Sequence, residues 1–149
     1  MNFDFNRLYL TTDGRIGRQD FWMGVIGLVV AGIVISVIVS WLFGWMTTGG
    51  QWAIFIVQLA FAYPGYCLMA KRFQDRDKPA MYAAIVVGIN IVLSLLSLFG
   101  LTGDPAAPNA LAMVFGLISL AIGIWILVEL GILRGTVGSN QYGPDPVAE

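Results

Sequence analysis

The sequence predicts an all-α membrane protein, a four-transmembrane-helix bundle whose N and C termini both lie in the cytoplasm. Three observations predict this fold: the composition, the spacing of uncharged segments and the placement of positive charges. Apolar residues make up 58% of the 149 residues and charged residues only 11%, with a mean hydropathy of +0.79. A soluble domain carries about 25% charged residues, because its surface must face water. We therefore expect a single membrane domain over residues 1–149, with most of its surface facing lipid.

Three long segments contain no charged residue: 23–70, 79–103 and 105–128. A helix needs about 20 apolar residues to cross the hydrocarbon core of a bilayer. The first segment is long enough for two helices, and residues 46–51 interrupt it with Met-Thr-Thr-Gly-Gly-Gln, which is typical of a turn. The predicted spans are therefore 22–45, 52–70, 80–100 and 109–133.

The positive charges predict the orientation of these spans. All eight Lys and Arg residues fall in three segments that share one side of the membrane: the N-terminal segment 1–21, the loop 71–79 and the tail 134–149. The two loops on the other side contain none: 46–51 and 101–108. Because positively charged loops stay in the cytoplasm, the first three segments are predicted to be cytoplasmic.

The charged residues beside the membrane form the first candidate site, a cytoplasmic network with these members: Arg15, Arg18, Asp20, Arg72, Asp75, Glu129 and Arg134. One interpretation is structural, with salt bridges that join loops to helix ends. The other is recognition of an anionic lipid headgroup or a protein partner by interfacial arginines. The mixed signs favour a paired network, in which Glu129 pairs with Arg134 or with an incoming arginine.

Two amides lie inside the predicted spans, Gln58 and Asn90. Polar groups are costly in lipid, and we expect these two to form hydrogen bonds across helices. The tail from Gly138 to Pro146 is rich in Gly, Asn and Pro, which predicts turns in a loop that folds back on the bundle.

Several classes of chemistry lack their usual residues. The chain has no histidine, the commonest general base and metal ligand, and its single cysteine, Cys67, cannot form an internal disulfide. There is no glycine-rich phosphate loop, no spacing of metal ligands and no nucleophile beside a base. We expect no enzymatic activity, metal or cofactor, and no nucleic acid as a partner; the lipid bilayer is the first expected partner.

Three motifs occur in order around the four spans. They are Gly-Arg-Ile-Gly-Arg-Gln-Asp-Phe-Trp at 14–22, Lys-Arg-Phe-Gln-Asp at 71–75, and a tail motif consisting of Asn140, Tyr142, Gly143, Pro144 and Asp145 within 138–146. Together they resemble the domain of unknown function 805 family, the YhaH-like proteins of bacterial inner membranes. The resemblance covers nearly the whole chain. It implies a multi-pass protein of the bacterial plasma membrane and no established activity.

The resemblance assigns the family's motif arginines to Arg15, Arg18 and Arg72 and its loop aspartate to Asp75. The chain departs from the family at three positions: Gly17 replaces a usual serine, Gln74 a frequent histidine, and Asp77 a usual glycine or asparagine. The loss of the serine removes the hydroxyl half of a capping box whose other half is Asp20.

The sequence leaves two functions open. The first is a non-enzymatic membrane protein whose cytoplasmic network binds a headgroup or a protein. The alternative is a transporter or channel subunit, which would need a homo-oligomer because one chain offers few polar groups in the membrane: Gln58, Asn90 and serines such as Ser36, Ser94, Ser97 and Ser119. An enzyme using carboxylates such as Asp75, Asp77 and Glu129 is less favoured, because the neighbouring cations explain those charges as ion pairs.

Overall fold

The computed structural model describes residues 4–44, 47–104 and 107–147. Its elements in chain order are α1 (Phe5–Tyr9), α2 (Arg18–Phe43), α3 (Thr48–Asp75), α4 (Met81–Leu98), β1 (Gly103–Asp104), β2 (Ala107–Pro108), α5 (Ala110–Ile126) and a π-helical turn (Leu127–Ile132), here called the π segment. Strands β1 and β2 form only a two-residue antiparallel hairpin. Four helices are long and apolar enough to cross a membrane: α2, α3, α4, and α5 with the π segment. The predicted all-α, four-helix membrane fold is confirmed.

The helices extend beyond the predicted spans near the turns. Helix α3 begins at Thr48 because the Thr47 side chain caps it, accepting a hydrogen bond from the Gly50 N–H at 3.0 Å. The predicted loop 46–51 is therefore mostly helical, while residues 45 and 46 lie outside the described residues. The prediction of a loop over residues 71–79 was wrong for its first half, because α3 continues through Asp75. The cations there do not end the helix, because their side chains find buried partners.

The hydrophobic core lies at one end of the bundle. Its members are Leu8, Tyr9, Ile16, Phe21, Leu68, Ala70, Phe73, Ala83 and Leu130. Helix α1 is held over this core by Tyr9, whose hydroxyl donates to the Gly24 carbonyl at 3.0 Å. Away from the core, large apolar side chains such as Val37 and Leu117 are exposed, as expected for helices that face lipid.

The π segment ends the last helix in an unusual way. The last carbonyls of a helix have no partner within it, and here side chains from other helices satisfy them. Arg72 Nε donates to the Leu130 carbonyl at 2.7 Å, and Trp22 Nε1 donates to the Gly131 carbonyl at 3.2 Å. A Cβ at Gly131 would lie 2.8 Å from the Trp22 ring, so the close approach requires glycine. The end of the fourth span is thereby joined to α2 and α3.

Candidate functional site

Three separate parts of the chain meet at the end of the bundle that contains the core. They are the N-terminal segment through Asp20, residues 71–79, and residues 129–147, and we call their meeting place the charged end. The sequence placed these segments on one side from their charges alone. The structure brings them into direct contact, with Asp75 at the centre.

Asp75 is a buried carboxylate that pairs with two arginines. Arg15 Nη2 lies 3.0 Å from Asp75 Oδ1, and Arg72 Nη1 pairs with Asp75 Oδ2. All three side chains are at most 2% exposed. Each carboxylate oxygen has its own guanidinium, so the pairing offsets the cost of removing these charges from water.

The remaining donors of Arg15 bind the C-terminal tail. Arg15 Nη1 donates to the carbonyls of Gly138 at 2.7 Å and Gly143 at 3.1 Å, and Nη2 donates to the Thr136 carbonyl at 2.7 Å. Thr136 in turn donates its N–H to the Asp75 carbonyl at 2.8 Å. The prediction that the tail folds back on the bundle is confirmed, and Arg15 is the residue that holds it there.

The tail motif builds the turn that Arg15 grips. Asn140 Nδ2 donates to the Gln74 carbonyl at 2.8 Å, and Asn140 Oδ1 accepts from the Tyr142 N–H at 2.9 Å. Gly138 and Gly143 both have positive φ, at 78° and 133°, a conformation that favours glycine. Pro144 follows this turn and is exposed. Asp145 Oδ2 accepts a hydrogen bond from the Gly138 N–H at 3.0 Å, which closes the turn. The motif therefore specifies a loop conformation that presents carbonyls to Arg15.

Glu129 and Lys71 complete the buried charges. Glu129 Oε1 accepts from Lys78 Nζ at 2.7 Å and from Arg76 Nε at 3.1 Å. Of its two expected partners, the incoming arginine is present as Arg76, and Arg134 forms no ion pair with Glu129. Arg134 instead contributes its backbone carbonyl, which accepts from Arg76 Nη1. Lys71 Nζ donates to the Leu8 carbonyl at 2.9 Å, which attaches α1 to α3.

Three members of the predicted network stay outside this buried cluster. Asp20 lies in the first turn of α2, at the positive end of the helix dipole. Arg18 and Arg134 are exposed, and neither forms an ion pair with another described residue. Arg18 Nη1 donates to the Ile132 carbonyl at 3.1 Å, which places its guanidinium at the end of the π segment, two residues before Arg134 in the sequence.

The intramembrane amides do not pair with each other. Gln58 Nε2 donates to Ser94 Oγ at 2.9 Å, a bond between α3 and α4 as predicted. The prediction of an interhelical bond was wrong for Asn90, whose Nδ2 donates to the Val86 carbonyl of its own helix at 2.9 Å. The Val86 carbonyl lies one helical turn before Asn90 on the same helix, within reach of the Asn90 amide. Gln58 and Asn90 also line a cavity of 1020 Å³ between the helices.

A family model described as a protein of unknown function, DUF805, matches residues 9–144. The chain belongs to the DUF805 family. Among curated relatives, the uncharacterized protein YiiR of Escherichia coli K12 is 32% identical over 134 residues, covering 89% of this chain and 83% of YiiR. The inner membrane protein YhaH of the same strain is 23% identical over 143 residues, covering 95% of this chain and 91% of YhaH. No solved structure matches.

These comparisons confirm the family resemblance found in the sequence. Together with the four spans, the likeness to YhaH establishes that this DUF805 chain is a multi-pass protein of the inner membrane. The three motifs separated in the sequence are parts of one structure: the first supplies Arg15, the second supplies Arg72 and Asp75, and the third supplies the carbonyls that Arg15 binds.

Sequence reasoning missed two residues of this DUF805 cluster. Thr136 bridges Arg15 and Asp75 through both its backbone and its hydroxyl. Gly135 passes so close to Asp75 that a Cβ there would overlap with the carboxylate. Nothing in the sequence signals this role of Gly135, because a glycine that provides space for a distant side chain has no local pattern. Gln74 Oε1 is buried without a hydrogen-bond partner among the described residues.

Asp145 makes the stability of the turn within the tail pH-dependent. Its pKa is lowered, chiefly because the carboxylate accepts hydrogen bonds from the N–H groups of Val147 and Gly138, each at 3.0 Å. A lowered pKa in the folded state means that the stabilisation is complete above the unfolded pKa, about 3.9 for Asp, and is lost as pH falls through the folded value.

We therefore expect amide hydrogen exchange at Gly138 to be slower in the wild type than in an Asp145→Asn variant at neutral pH. The difference should shrink as pH falls below about 3.9 and vanish below the lowered pKa of folded Asp145, because both side chains are then uncharged. Exchange measured across this pH range for both proteins tests this expectation. A difference that persists unchanged at low pH would contradict it.

Proposed function

We propose that this DUF805 protein is a non-enzymatic membrane protein whose charged end faces the cytoplasm and binds an anionic phospholipid headgroup. The observation that supports it is a division among the arginines of that end. Some are buried and fully engaged with the protein, while others are exposed at the end of the last span.

The buried arginines have little capacity left for a ligand. Arg15 directs its guanidinium donors to Asp75 and to tail carbonyls, and Arg72 directs its donors to Asp75 and to the carbonyls of the π segment. Their part in the proposal is structural: they hold α2, α3 and the tail in place. The structural interpretation of the network therefore applies to Arg15 and Arg72, and the recognition interpretation applies to the exposed arginines.

Arg18 and Arg134 have the free capacity. Beyond its bond to Ile132, the Arg18 side chain has no other hydrogen bond within the described part of the chain, and Arg134 is exposed. Beside them Ile132 and Leu133 are exposed apolar residues, 56% and 38% accessible, as expected at the boundary of the lipid. The planar fork of a guanidinium matches the oxygens of a phosphate, and a phospholipid offers that phosphate beside apolar chains.

Native mass spectrometry of the protein released from its own membrane tests the proposal. The wild type should retain phosphatidylglycerol or cardiolipin. Retention should fall about fivefold in Arg18→Gln or Arg134→Gln, since one interfacial arginine contributes about 1 kcal/mol. Arg7→Gln is the matched control, because Arg7 is also exposed at the charged end but lies on α1.

Equal loss in all three variants would indicate general charge attraction and overturn the proposal, as would full retention in all. A bound protein in place of lipid would support the protein-partner hypothesis instead. The orientation has its own test, labelling of a Ser139→Cys variant with a membrane-impermeant maleimide. Labelling should require permeabilised cells, and labelling of intact spheroplasts would contradict a cytoplasmic charged end.

A transporter or channel subunit is the second candidate, supported by the gathering of polar side chains at the cavity. The cavity has no lining residue from the charged end, so a complete route would need a second conformation or a second copy. Flux of small uncharged solutes in proteoliposomes would favour this function over headgroup binding, and its absence across a broad panel would weaken it.

A further inference from the structure

The cavity between the four spans lies away from the charged end. It has a volume of 1020 Å³ and is partly open to its surroundings. Helices α2, α3, α4 and α5 all contribute walls, and the lining reaches Thr102 and, at the start of β1, Gly103. Cavities that bind small organic ligands have volumes of roughly 300–1,000 Å³. This cavity is therefore large enough for a whole ligand.

The polar residues of the spans are concentrated at this cavity. Every serine of the four spans lines it: Ser36, Ser40, Ser94, Ser97 and Ser119. Two of these hydroxyls bond within the protein, Ser94 to Gln58 and Ser97 to the Leu93 carbonyl. The hydroxyls of Ser36, Ser40 and Ser119 have no side-chain hydrogen bond in the described part of the chain. Unpaired polar groups are costly in a membrane, so these three favour an occupant that pairs with them.

The lining also defines the chemistry of that occupant. Among the described residues it contains no Asp, Glu, Lys or Arg, so a charged group would enter without a counter-ion from them, which is strongly unfavourable. Hydroxyls and amides both donate and accept hydrogen bonds, which suits hydroxyl and ester groups. The rest of the lining is largely apolar, with Ile33, Phe55 and Phe115 from three different helices, which suits hydrocarbon.

We infer that this cavity binds an uncharged lipid with a small hydroxyl- and ester-bearing polar group, of the diacylglycerol class. The serine hydroxyls and the Asn90 amide bind its polar group, and its acyl chains lie against the apolar walls and pass into the bilayer. The site is independent of the arginines in the proposed function, because it involves different residues at a different part of the bundle.

Binding of 1,2-dioctanoylglycerol to the purified full-length protein, measured by native mass spectrometry and by isothermal titration calorimetry, tests the inference. Dioctanoyl phosphatidic acid is the matched probe, with the same chains and a charged phosphate. In an Arg18→Gln, Arg134→Gln background, which removes the arginines of the proposed headgroup site, the protein should bind dioctanoylglycerol at least tenfold more tightly than the phosphatidic acid. A Ser36→Ala, Ser119→Ala variant should lose about tenfold in affinity for dioctanoylglycerol, because two hydrogen bonds are lost.

A second variant fills the cavity. Ser119→Phe should abolish dioctanoylglycerol binding, whereas Leu120→Phe should not, because Leu120 is the next residue on α5 and is exposed without lining the cavity. Circular dichroism and the thermal midpoint establish that both variants fold. Three results would overturn the inference: equal affinity for both lipids, unchanged binding in Ser119→Phe, or a cavity that holds only water or a second copy of the chain. Whether the proposed function fails is decided separately, by the amount of anionic phospholipid that the Arg18→Gln variant retains.

Discussion

Replacing Asp75 with asparagine should destabilise the bundle by about 3–5 kcal/mol, because it leaves two buried guanidiniums without a counter-ion. The side chains of Arg15 and Arg72 are 1% and 0% exposed, so neither can recover its charge interactions from water. An asparagine amide would also present N–H donors to groups that only donate. The tail should detach together with this loss, since Arg15 holds both Asp75 and the tail carbonyls.

Chemical unfolding in a mild detergent measures the stability, and limited proteolysis after residue 136 measures attachment of the tail. Asp77→Asn is the matched control. Asp77 lies two residues further on, is exposed, and accepts one hydrogen bond, from Gln141 at 3.2 Å; its φ of 58° is one that asparagine tolerates. We expect this control to stay within about 0.5 kcal/mol of wild type. An Asp75→Asn protein as stable as the control would show that the carbonyl bonds of the arginines hold the cluster without the carboxylate.

Substituting Gly135 with alanine should cost about 3 kcal/mol by overpacking the same cluster. The added Cβ would overlap with the Asp75 carboxylate, and the carboxylate cannot move aside because Arg15 and Arg72 hold both of its oxygens. The backbone of the tail must therefore shift away. We expect faster proteolysis of the tail and a lower thermal midpoint, measured on the same preparations.

Gly17→Ala is the control for this substitution. Gly17 also lies at the charged end outside the helices, and a Cβ there would meet nothing within 4 Å. It should stay within about 1 kcal/mol of wild type, because alanine restricts the unfolded chain but is a poorer N-cap for α2 than glycine. Equal stability of the two variants would mean that the tail adapts to the extra methyl group, and that its contact with Asp75 is not tightly packed.

The sequence predicted the parts of the fold that depend on one-dimensional patterns. Long uncharged segments predict helices across lipid wherever they occur, because a backbone in a membrane must satisfy its own hydrogen bonds. The positive charges grouped the three segments that the structure brings together. The helix ends were predicted less well: the loop expected from Lys71 onward is helical through Asp75, because buried carbonyl partners accept the cations.

The sequence predicted which types of residue form the candidate sites, and it did not predict which of these residues contact one another. The sequence alone identified an Arg and Asp network, the tail motif, and a set of amides and serines in the membrane. It did not show that Arg15 joins Asp75 to a tail more than 120 residues away, or that Gly135 provides the space for that carboxylate.

What the sequence by itself determined about this protein is its solvent, its number of spans and its family, because hydropathy, charge and short motifs are properties of neighbouring residues. Only the tertiary structure decided which arginines are engaged within the protein and which are exposed, and that the serines of three different spans face one cavity. The physical reason is that a hydrogen bond or an ion pair depends on a separation of about 3 Å between particular atoms. That separation is set by how the helices pack, and the order of residues along the chain does not specify it.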